Sequence, residues 1–231
     1  MDFRDRHVVV TGGTGALGVA VVGRLLDAGA ICHIPYRDER KLDRFPHRAH
    51  ERVRLVATGD LADQSSVERL FEGVDRLWAS IHIAGGFAMS PIADTDKTAF
   101  MAMINMNLTS CWLCCRAAVR AMGNGGGRIV NVAARHALEP RSGAGMAAYT
   151  ASKSAVAALT QALAQEVAGR GILVNAVAPS IMDTPQNRQD MPKADHDAWA
   201  KVDDVAATIL FLASPENRVT RGGIVPVYGR S

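Results

Sequence analysis

The sequence predicts an α/β domain, a doubly wound and mostly parallel seven-stranded sheet with helices on both faces. Two observations carry this prediction. Short apolar runs alternate with helical patterns along all 231 residues, and repeated β-then-α order is typical of a parallel sheet. The apolar runs are continuous rather than alternating, as in strands buried on both faces. We therefore expect residues 1–231 to form one domain.

Seven strands and five helices follow from these patterns. The predicted strands are residues 7–10, 30–35, 53–57, 77–83, 129–132, 172–177 and 224–227. The predicted helices are residues 16–28, 65–71, 98–122, 149–168 and 203–212. Ser65, with Glu68 three residues on, is the expected cap of the second helix. The polar stretch 180–202 is expected to lie outside regular structure and to be the best candidate for a mobile lid.

Composition excludes several classes of function. Hydrophobic residues make up 48% and charged residues 21%, which is ordinary for a globular domain. A net charge of +3 is too small to indicate nucleic acid or a membrane surface as partner. No apolar run has bilayer length, and the charged N-terminus does not resemble a secretory signal. Four cysteines without framework spacing favour a reducing cytoplasm.

A glycine-rich loop follows the first predicted strand. Residues 11–18 read TGGTGALG, in which three glycines have the G-x-G-x-x-G spacing between a strand and a helix. Glycine permits the tight turn, the backbone approach to a pyrophosphate and close helix–strand packing. The helix N-terminus adds free N–H groups and partial positive charge. The loop predicts a Rossmann-type nucleotide-binding domain, with contacts from Gly12, Gly13, Gly15, Ala16, Leu17 and Gly18.

The end of the second strand indicates which nucleotide binds. An acidic residue there accepts from a ribose 2′-hydroxyl, whereas this chain has Tyr36 and then Arg37. A guanidinium matches a phosphate in fork geometry, so NADP(H) is favoured and NAD(H) remains an alternative. In that alternative Arg37 is only a solvated charge and Asp38 takes the acidic role.

A tyrosine and a lysine four residues apart are candidates for proton transfer. Tyr149 and Lys153 share one face of a predicted helix. A free phenol has a pKa of about 10, and a neighbouring ammonium favours the phenolate and lowers it. Such a phenol suits a general acid for a carbonyl or imine that receives hydride. On spacing alone the pair is equally compatible with an ordinary helix surface.

Together these motifs resemble the short-chain dehydrogenase/reductase family over nearly the whole chain. Besides the glycine loop and Tyr149-x-x-x-Lys153, the resemblance rests on Asp60-Leu61, Ala84-Gly85, Asn107 and the segment from Pro179 to Thr184. The resemblance implies that Tyr149 transfers the proton. It also implies that Lys153 holds the nicotinamide ribose, and that Asn107 anchors a water that joins Lys153 to solvent.

The same resemblance implies further cofactor contacts. Asp60 and Leu61 would lie at the adenine, and Ala84 and Gly85 would stand at the end of the family's Asn-Asn-Ala-Gly segment. The remaining contacts would come from the segment that caps the nicotinamide, namely Pro179, Met182 and Thr184.

Three departures from the family pattern indicate a branch of it. Ala134 stands where the family has its active-site serine, His82 and Ile83 replace the two asparagines, and Ser180 replaces a glycine. These departures, and the similarity of residues 183–199, resemble the dihydropteridine reductase-like branch, which reduces a quinonoid C=N system. Dihydropteridine reductase itself prefers NADH and has an acidic residue at the strand end. This chain lacks that acidic residue. His136 and Ser142 are the candidates to replace the missing hydroxyl.

Other side chains are assigned to the core or to an interface. Cys111, Cys114 and Cys115 on the long helix are expected to be buried thiols without a metal, because no histidine accompanies them in sequence. His82 is expected to be a satisfied core histidine. The apolar helices 98–122 and 149–168 need covering on more than one side, which predicts a homotetramer or a dimer.

The predicted function is an NADP(H)-dependent oxidoreductase that transfers hydride to a C=O or C=N carbon of a small substrate. One alternative is a redox-silent nucleotide-binding sensor or scaffold, which the absence of the serine favours. Another is an epimerase or dehydratase, but the 23 residues of 180–202 leave little room for a substrate domain.

Overall fold

A computed structural model describes residues 1–230 of the protein. Its strands are β1 His7–Thr11, β2 Ile31–Tyr36, β3 Val53–Ala57, β4 Leu77–His82, β5 Gly127–Val132, β6 Ile172–Pro179, β7 Met182–Asp183, β8 Ala200–Lys201 and β9 Ile224–Val227. Its α-helices are α1 Ala16–Asp27, α2 Gln64–Glu72, α3 Lys97–Ile104, α4 Ser110–Met122, α5 Arg135–Leu138, α6 Ala147–Glu166, α7 Pro185–Asp190 and α8 Val202–Ala213.

Seven strands form one sheet in the order β3-β2-β1-β4-β5-β6-β9, and every pairing within it is parallel. The predicted fold class is therefore confirmed. The chain winds outward in one direction from β1 to β3 and in the other direction from β4 to β9. The two directions part between β1 and β4, which is where ligands bind in sheets of this kind.

Alternate residues of each strand enter two separate cores. Val8 and Val10 of β1 pack with α1 and α8 on one face, through side chains such as Val21 and Ile209. Val9 points to the opposite face, where α2, α4 and α6 cover the sheet. Both faces are buried, which explains the continuous apolar runs of the strands.

The start of α2 differs from the prediction. The helix begins at Gln64 after Asp63 as N-cap, so Ser65 lies within the first turn and caps nothing. The preceding turn decides this start, because Asp60 accepts the backbone N–H groups of Ala62 and Asp63. This turn brings the chain into helical geometry one residue earlier than the Ser65 pattern indicates.

The long helix predicted over 98–122 contains a wider turn. α3 and α4 are continuous through a π-helical segment, Asn105–Thr109. Such segments are frequent at functional sites, and Asn107 lies in the middle of this one. The combined stretch Lys97–Met122 is long and apolar enough to span a membrane by composition alone. The α4 part packs on the sheet through Leu113 and Ala118, so this part belongs to the core.

The segment 180–202 is not irregular, contrary to the sequence-based expectation. It holds β7, α7, a short 3₁₀ turn and β8, and β7 pairs with β8. Asp183 stabilises it through ion pairs to Arg188 and Lys201. These partners lie up to 18 residues away along the chain, so the polar composition alone did not indicate them.

A buried histidine pair makes the fold sensitive to acid. His33 on β2 is 5% exposed, and its ring stacks on His7 with Nε2 3.0 Å from Nδ1 of that residue. Burial, and next the neighbouring charge of His7, lower the pKa of His33 to about 4; Arg54 lowers it further and Asp75 opposes this. The folded protein therefore keeps His33 neutral where the unfolded chain, with a pKa near 6.5, takes up a proton.

We expect the free energy of unfolding to fall by about 2 kcal/mol from this group as the pH drops from 6.5 to 4, since one pKa unit is worth about 1.4 kcal/mol. Urea unfolding at pH 7, 5.5 and 4 measures it. His33→Gln, which cannot be protonated, is expected to show a smaller loss over the same interval. An identical acid dependence in wild type and variant would contradict this assignment.

Candidate active site

The parallel sheet brings the predicted site residues to one edge. Gly12 follows β1, Arg37 follows β2 and Asp60 lies three residues beyond β3. Ala84 lies two residues beyond β4, and Ala134 two residues beyond β5. Because all of these strands point the same way, their carboxyl ends meet in one crevice.

The glycine loop fits closely between β1, β4 and α1. Gly12 has φ +68°, and a Cβ there would lie 2.8 Å from the Ala84 backbone nitrogen. A Cβ on Gly18 would overlap the carbonyl oxygen of Gly12. Ala84 N–H also donates to Thr11 Oγ1 at 3.2 Å. Glycine at these positions is therefore a packing requirement, and it holds the first turn of α1 against the crevice.

The N-terminus of α1 has the properties of an anion site. Gly15 is the N-cap, no side chain caps the helix, and its first turn carries no acidic residue. Ala16 and the buried Leu17 open the helix. The first N–H groups of such a helix lack intrahelical partners and carry partial positive charge. These residues fit a pyrophosphate, as the motif predicts.

Arg37 and Asp38 occupy different environments at the end of β2. Arg37 is exposed and forms a 3.4 Å ion pair with Asp60. Asp38 accepts from the backbone N–H of Arg40 and pairs with its guanidinium at 2.9 Å. The Asp38 carboxylate is thus committed to a local turn, which leaves Arg37 as the charged side chain directly beyond the strand.

Tyr149, Lys153 and Asn107 converge on the loop after β4. Lys153 is 6% exposed, and its ammonium donates to the Val132 carbonyl at 2.7 Å. A Cβ on Gly85 would lie 2.6 Å from Asn107 Oδ1 and 3.4 Å from Lys153 Nζ. The backbone of Gly85 therefore passes directly beside both side chains.

The side chain of Asn107 ties three elements together. Its Oδ1 accepts from Gly86 N–H at 2.9 Å, and its Nδ2 donates to the Gly86 carbonyl at 3.1 Å and to Ser152 Oγ at 3.1 Å. Ser152 Oγ in turn donates to the Tyr149 carbonyl at 2.7 Å. Asn107 thereby holds the loop after β4 against the first turns of α6.

Burial is the largest influence on the pKa values of Tyr149 and Lys153. Burial raises the pKa of Tyr149 to about 12. Burial also lowers the pKa of Lys153 to about 8, an effect that Cys111 partly opposes. The expectation that the ammonium lowers the pKa of Tyr149 is therefore wrong for this structure, in which Lys153 points at the Val132 carbonyl. Tyr149 is a protonated phenol at neutral pH.

Aromatic rings flank Tyr149 on two sides. The Phe87 ring meets it edge-on at 5.0 Å, and the His136 ring lies 6.1 Å away. His136 Nδ1 is 2.7 Å from Ser142 Oγ, which itself donates to the Glu139 carbonyl at 2.7 Å. Ser142 therefore holds the ring, and His136 is the candidate of the two that contacts Tyr149. Ala134 is buried and has no polar side-chain atom.

The segment after β6 is organised by its own polar groups. Pro179 ends β6, and Thr184 is 8% exposed and caps α7 by accepting from Asn187 N–H at 3.2 Å. Asn187 Nδ2 donates to the Met182 carbonyl at 2.8 Å. The Thr184 hydroxyl keeps its proton available for a further acceptor.

Leu61, predicted at the adenine, is half-buried against the core beneath α2 and α4.

A groove of about 430 Å³ lies next to the site. Its lining comes from the start of α3 and from Ala147, Ala148 and Ala151 of α6, with Phe100 beside them. Tyr149 is not among its lining residues, so the groove adjoins the convergent polar side chains without containing them.

Sequence reasoning missed one cluster behind this site. His82 at the end of β4 lies beside Cys111 and Cys115 of α4, and all three are buried. The cysteines were assigned to the core because no histidine lies near them in sequence. The contact depends on how α4 packs on β4, for which the local sequence holds no signal.

Comparison with known proteins agrees with this arrangement. A family model described as short chain dehydrogenase matches residues 6–195. The (2S)-[(R)-hydroxy(phenyl)methyl]succinyl-CoA dehydrogenase subunit BbsD of Thauera aromatica is 32% identical over 99% of this chain and 97% of its own. The cis-4-hydroxycyclohexanecarboxylate dehydrogenase of Sinomonas cyclohexanicum is 34% identical over 98% and 96%.

A solved structure of ElxO with NADP bound superposes with a TM-score of 0.87 at 28% identity, covering 97% of this chain and 98% of that one. Together with the glycine loop and the family model over residues 6–195, this match settles the family. The chain belongs to the short-chain dehydrogenase/reductase family of oxidoreductases.

Proposed function

We propose that the protein is an NADP(H)-dependent reductase that delivers hydride to a C=O or C=N carbon of a small organic substrate. The observation that carries the proposal is the convergence of Lys153 and Asn107 on Gly85, with the Tyr149 ring against Phe87 of the same loop. The reducing cytoplasm is the proposed compartment, in line with four free cysteines, all buried.

The crevice offers a holding group for each part of the cofactor. The glycine loop and the N-terminus of α1 hold the pyrophosphate, and Arg37 holds the 2′-phosphate. The other proposed contacts are Asp60, Leu61, Ala84, Gly85, Pro179, Met182 and Thr184. NADPH, when bound, supplies the hydride. Bound NADP in the structural relative ElxO supports this assignment.

Tyr149 is the proposed proton donor. Burial raises the pKa of Tyr149, so at neutral pH the phenol carries the proton that the proposed donation requires. Lys153 is the proposed holder of the nicotinamide ribose, because its ammonium lies beside the Gly85 backbone in the crevice. Asn107 acts by position, since it fixes the loop from Gly85 to Gly86 and the start of α6.

Three observations bear on the substrate class. The curated relatives are named for the dehydrogenation of hydroxyl compounds, which favours a carbonyl–alcohol pair. Ala134 at the serine position, together with the sequence of residues 183–199, favours the dihydropteridine reductase-like branch and a C=N acceptor. Phe87 and Met89 are exposed and apolar, in keeping with a small, flat substrate, and His136 is the proposed substitute for the hydroxyl of the missing serine.

Tyr149→Phe is expected to lower kcat at least about 100-fold, because positioned acid–base groups contribute roughly 10² to 10⁴. NADPH binding, measured by fluorescence titration, is expected to stay within about twofold. Thr208→Val, which removes a hydroxyl from α8, is the control and should retain wild-type turnover. Assays use NADPH with ketones, quinones, cyclic imines and quinonoid dihydropterin. Full turnover in Tyr149→Phe would contradict the role of the phenol, and NADPH binding without oxidation of any substrate would favour the redox-silent alternative.

Arg37→Glu is expected to reverse the cofactor preference. The substitution removes a charge-assisted bond to the 2′-phosphate, worth about 1.5–3 kcal/mol, and places a like charge there. We expect kcat/KM for NADPH to fall by roughly 10- to 100-fold, with a smaller change for NADH. Arg69→Glu on the exposed face of α2 makes the same charge change away from the crevice. A similar loss in that control would show that the effect comes from overall charge.

Subunit association through α3, α4 and α6 is also proposed. Phe100 and Trp112 are 39% and 49% exposed, Ala158 and Ala162 are exposed on α6, and the apolar groove lies between α3 and α6. Large apolar patches on one face mark interaction sites.

Sedimentation at micromolar concentration is expected to show a dimer or tetramer, and Trp112→Glu is expected to shift the protein toward monomer. A wild-type monomer would contradict this assignment.

A further inference from the structure

The polar cluster behind the active site has the composition of a metal centre. The ligand atoms of His82, Cys111 and Cys115 all lie within 4.8 Å of one another. Each of the three residues is at most 5% exposed. The two cysteines are one helical turn apart on α4, so both thiols face the end of β4 where His82 lies.

The distance between Cys115 and His82 matches an edge of a tetrahedral site. Zinc bonds of about 2.3 Å to sulfur and about 2.0–2.1 Å to nitrogen imply a sulfur–nitrogen edge of about 3.6 Å. The distance from Cys115 Sγ to His82 Nδ1 is 3.6 Å. The Cys111 thiol contacts both Cys115 and His82. One edge of a coordination tetrahedron is thus already in place, and Cys111 is close enough to provide the third donor with a small movement.

Asn131 supplies a fourth donor. Its Oδ1 lies 2.8 Å from His82 Nδ1 and 3.5 Å from Cys115 Sγ. An amide oxygen is a weaker ligand than a thiolate but completes the coordination. The hydrogen bond between His82 and Asn131 must open by roughly half an ångström, because an ion replaces the proton that they share.

A second layer of hydrogen bonds orients these donors. Ser80 Oγ lies 2.8 Å from His82 Nε2, and Asn131 Nδ2 donates to Thr160 Oγ1 at 2.9 Å. Metal-bound histidines characteristically hydrogen-bond through their other ring nitrogen. On binding, the ring proton resides on Nε2 and faces Ser80, while the two thiols release one proton each.

The charge balance favours a soft divalent ion. Two thiolates and one divalent cation sum to zero, so the buried site gains no net charge. Lys153 interacts electrostatically with Cys111 and disfavours any complex with excess positive charge. Hard cations such as Mg²⁺ prefer oxygen ligands, whereas thiolate and imidazole suit zinc.

We propose that His82, Cys111, Cys115 and Asn131 form a binding site for a thiophilic divalent cation, zinc first among them. The ion would connect the end of β4 to α4. It would thereby stiffen the loop of residues 83–86 that runs beside Asn107 and Lys153. The site does not depend on the proposed reductase activity.

Cobalt(II) is the probe, because it replaces zinc in tetrahedral sites and reports thiolate ligation by charge-transfer absorption. Full-length protein is stripped with a chelator under a non-chelating reductant and titrated with Co²⁺ and then with Zn²⁺. We expect one ion per chain, a charge-transfer band, displacement by zinc and a rise in melting temperature with Zn²⁺.

The matched comparison removes two buried thiols in each case. The Cys111→Ser/Cys115→Ser protein is expected to lose the band and at least tenfold in affinity. The Cys32→Ser/Cys114→Ser protein, which removes thiols outside the cluster, is expected to keep both. His82→Gln gives a second test if the first double variant does not fold. Absence of the band and of the zinc-dependent melting shift in folded wild type, or their persistence in His82→Gln, would overturn the proposal.

Discussion

The close contact between Gly18 and Gly12 is the constraint on which the site depends. A side chain at Gly18 would overlap the Gly12 carbonyl oxygen, so α1 can begin where it does only because that position carries a hydrogen atom. Gly12 in turn lies against Ala84, which brings the β1 loop and the β4 loop to the same place. The uncapped N-terminus of α1 and the Gly85 backbone therefore border one crevice, and the residues around Tyr149 are arranged on its far side.

Burial determines the protonation states of Tyr149 and Lys153 on that side of the crevice. The phenol of Tyr149 is held in its protonated form by loss of solvent, while Lys153 is so buried that its pKa falls. Burial favours the neutral form of each group, which is why the pKa of Tyr149 rises while that of Lys153 falls. At neutral pH Tyr149 therefore carries its proton, which is the state that the proposed donation requires.

Much of this arrangement could be predicted from local sequence, and the rest depends on packing. The strands are continuous apolar runs, and the glycine loop lies between a strand and a helix, so sheet and loop were predicted almost to the residue. The cap of α2 was missed because a turn at Asp60 decides it. The order within residues 180–202 was missed because Asp183 pairs with Lys201, which is distant along the chain. The approach of His82 to Cys111 needs the α4–β4 contact itself.

The buried thiol cluster and the half-buried Tyr149 lie on neighbouring elements of the fold, and charge determines how strongly they influence each other. Lys153 is near both, since it interacts electrostatically with Cys111 and lies one helical turn beyond Tyr149 on α6. An ion held by two thiolates would leave the net charge near Lys153 almost unchanged, and its electrostatic effect on the ammonium would be small. Its mechanical effect would be larger, because His82 lies only two residues before Ala84, which packs on the glycine loop. The cluster would therefore act on the crevice through the position of this backbone rather than through the protonation of Lys153.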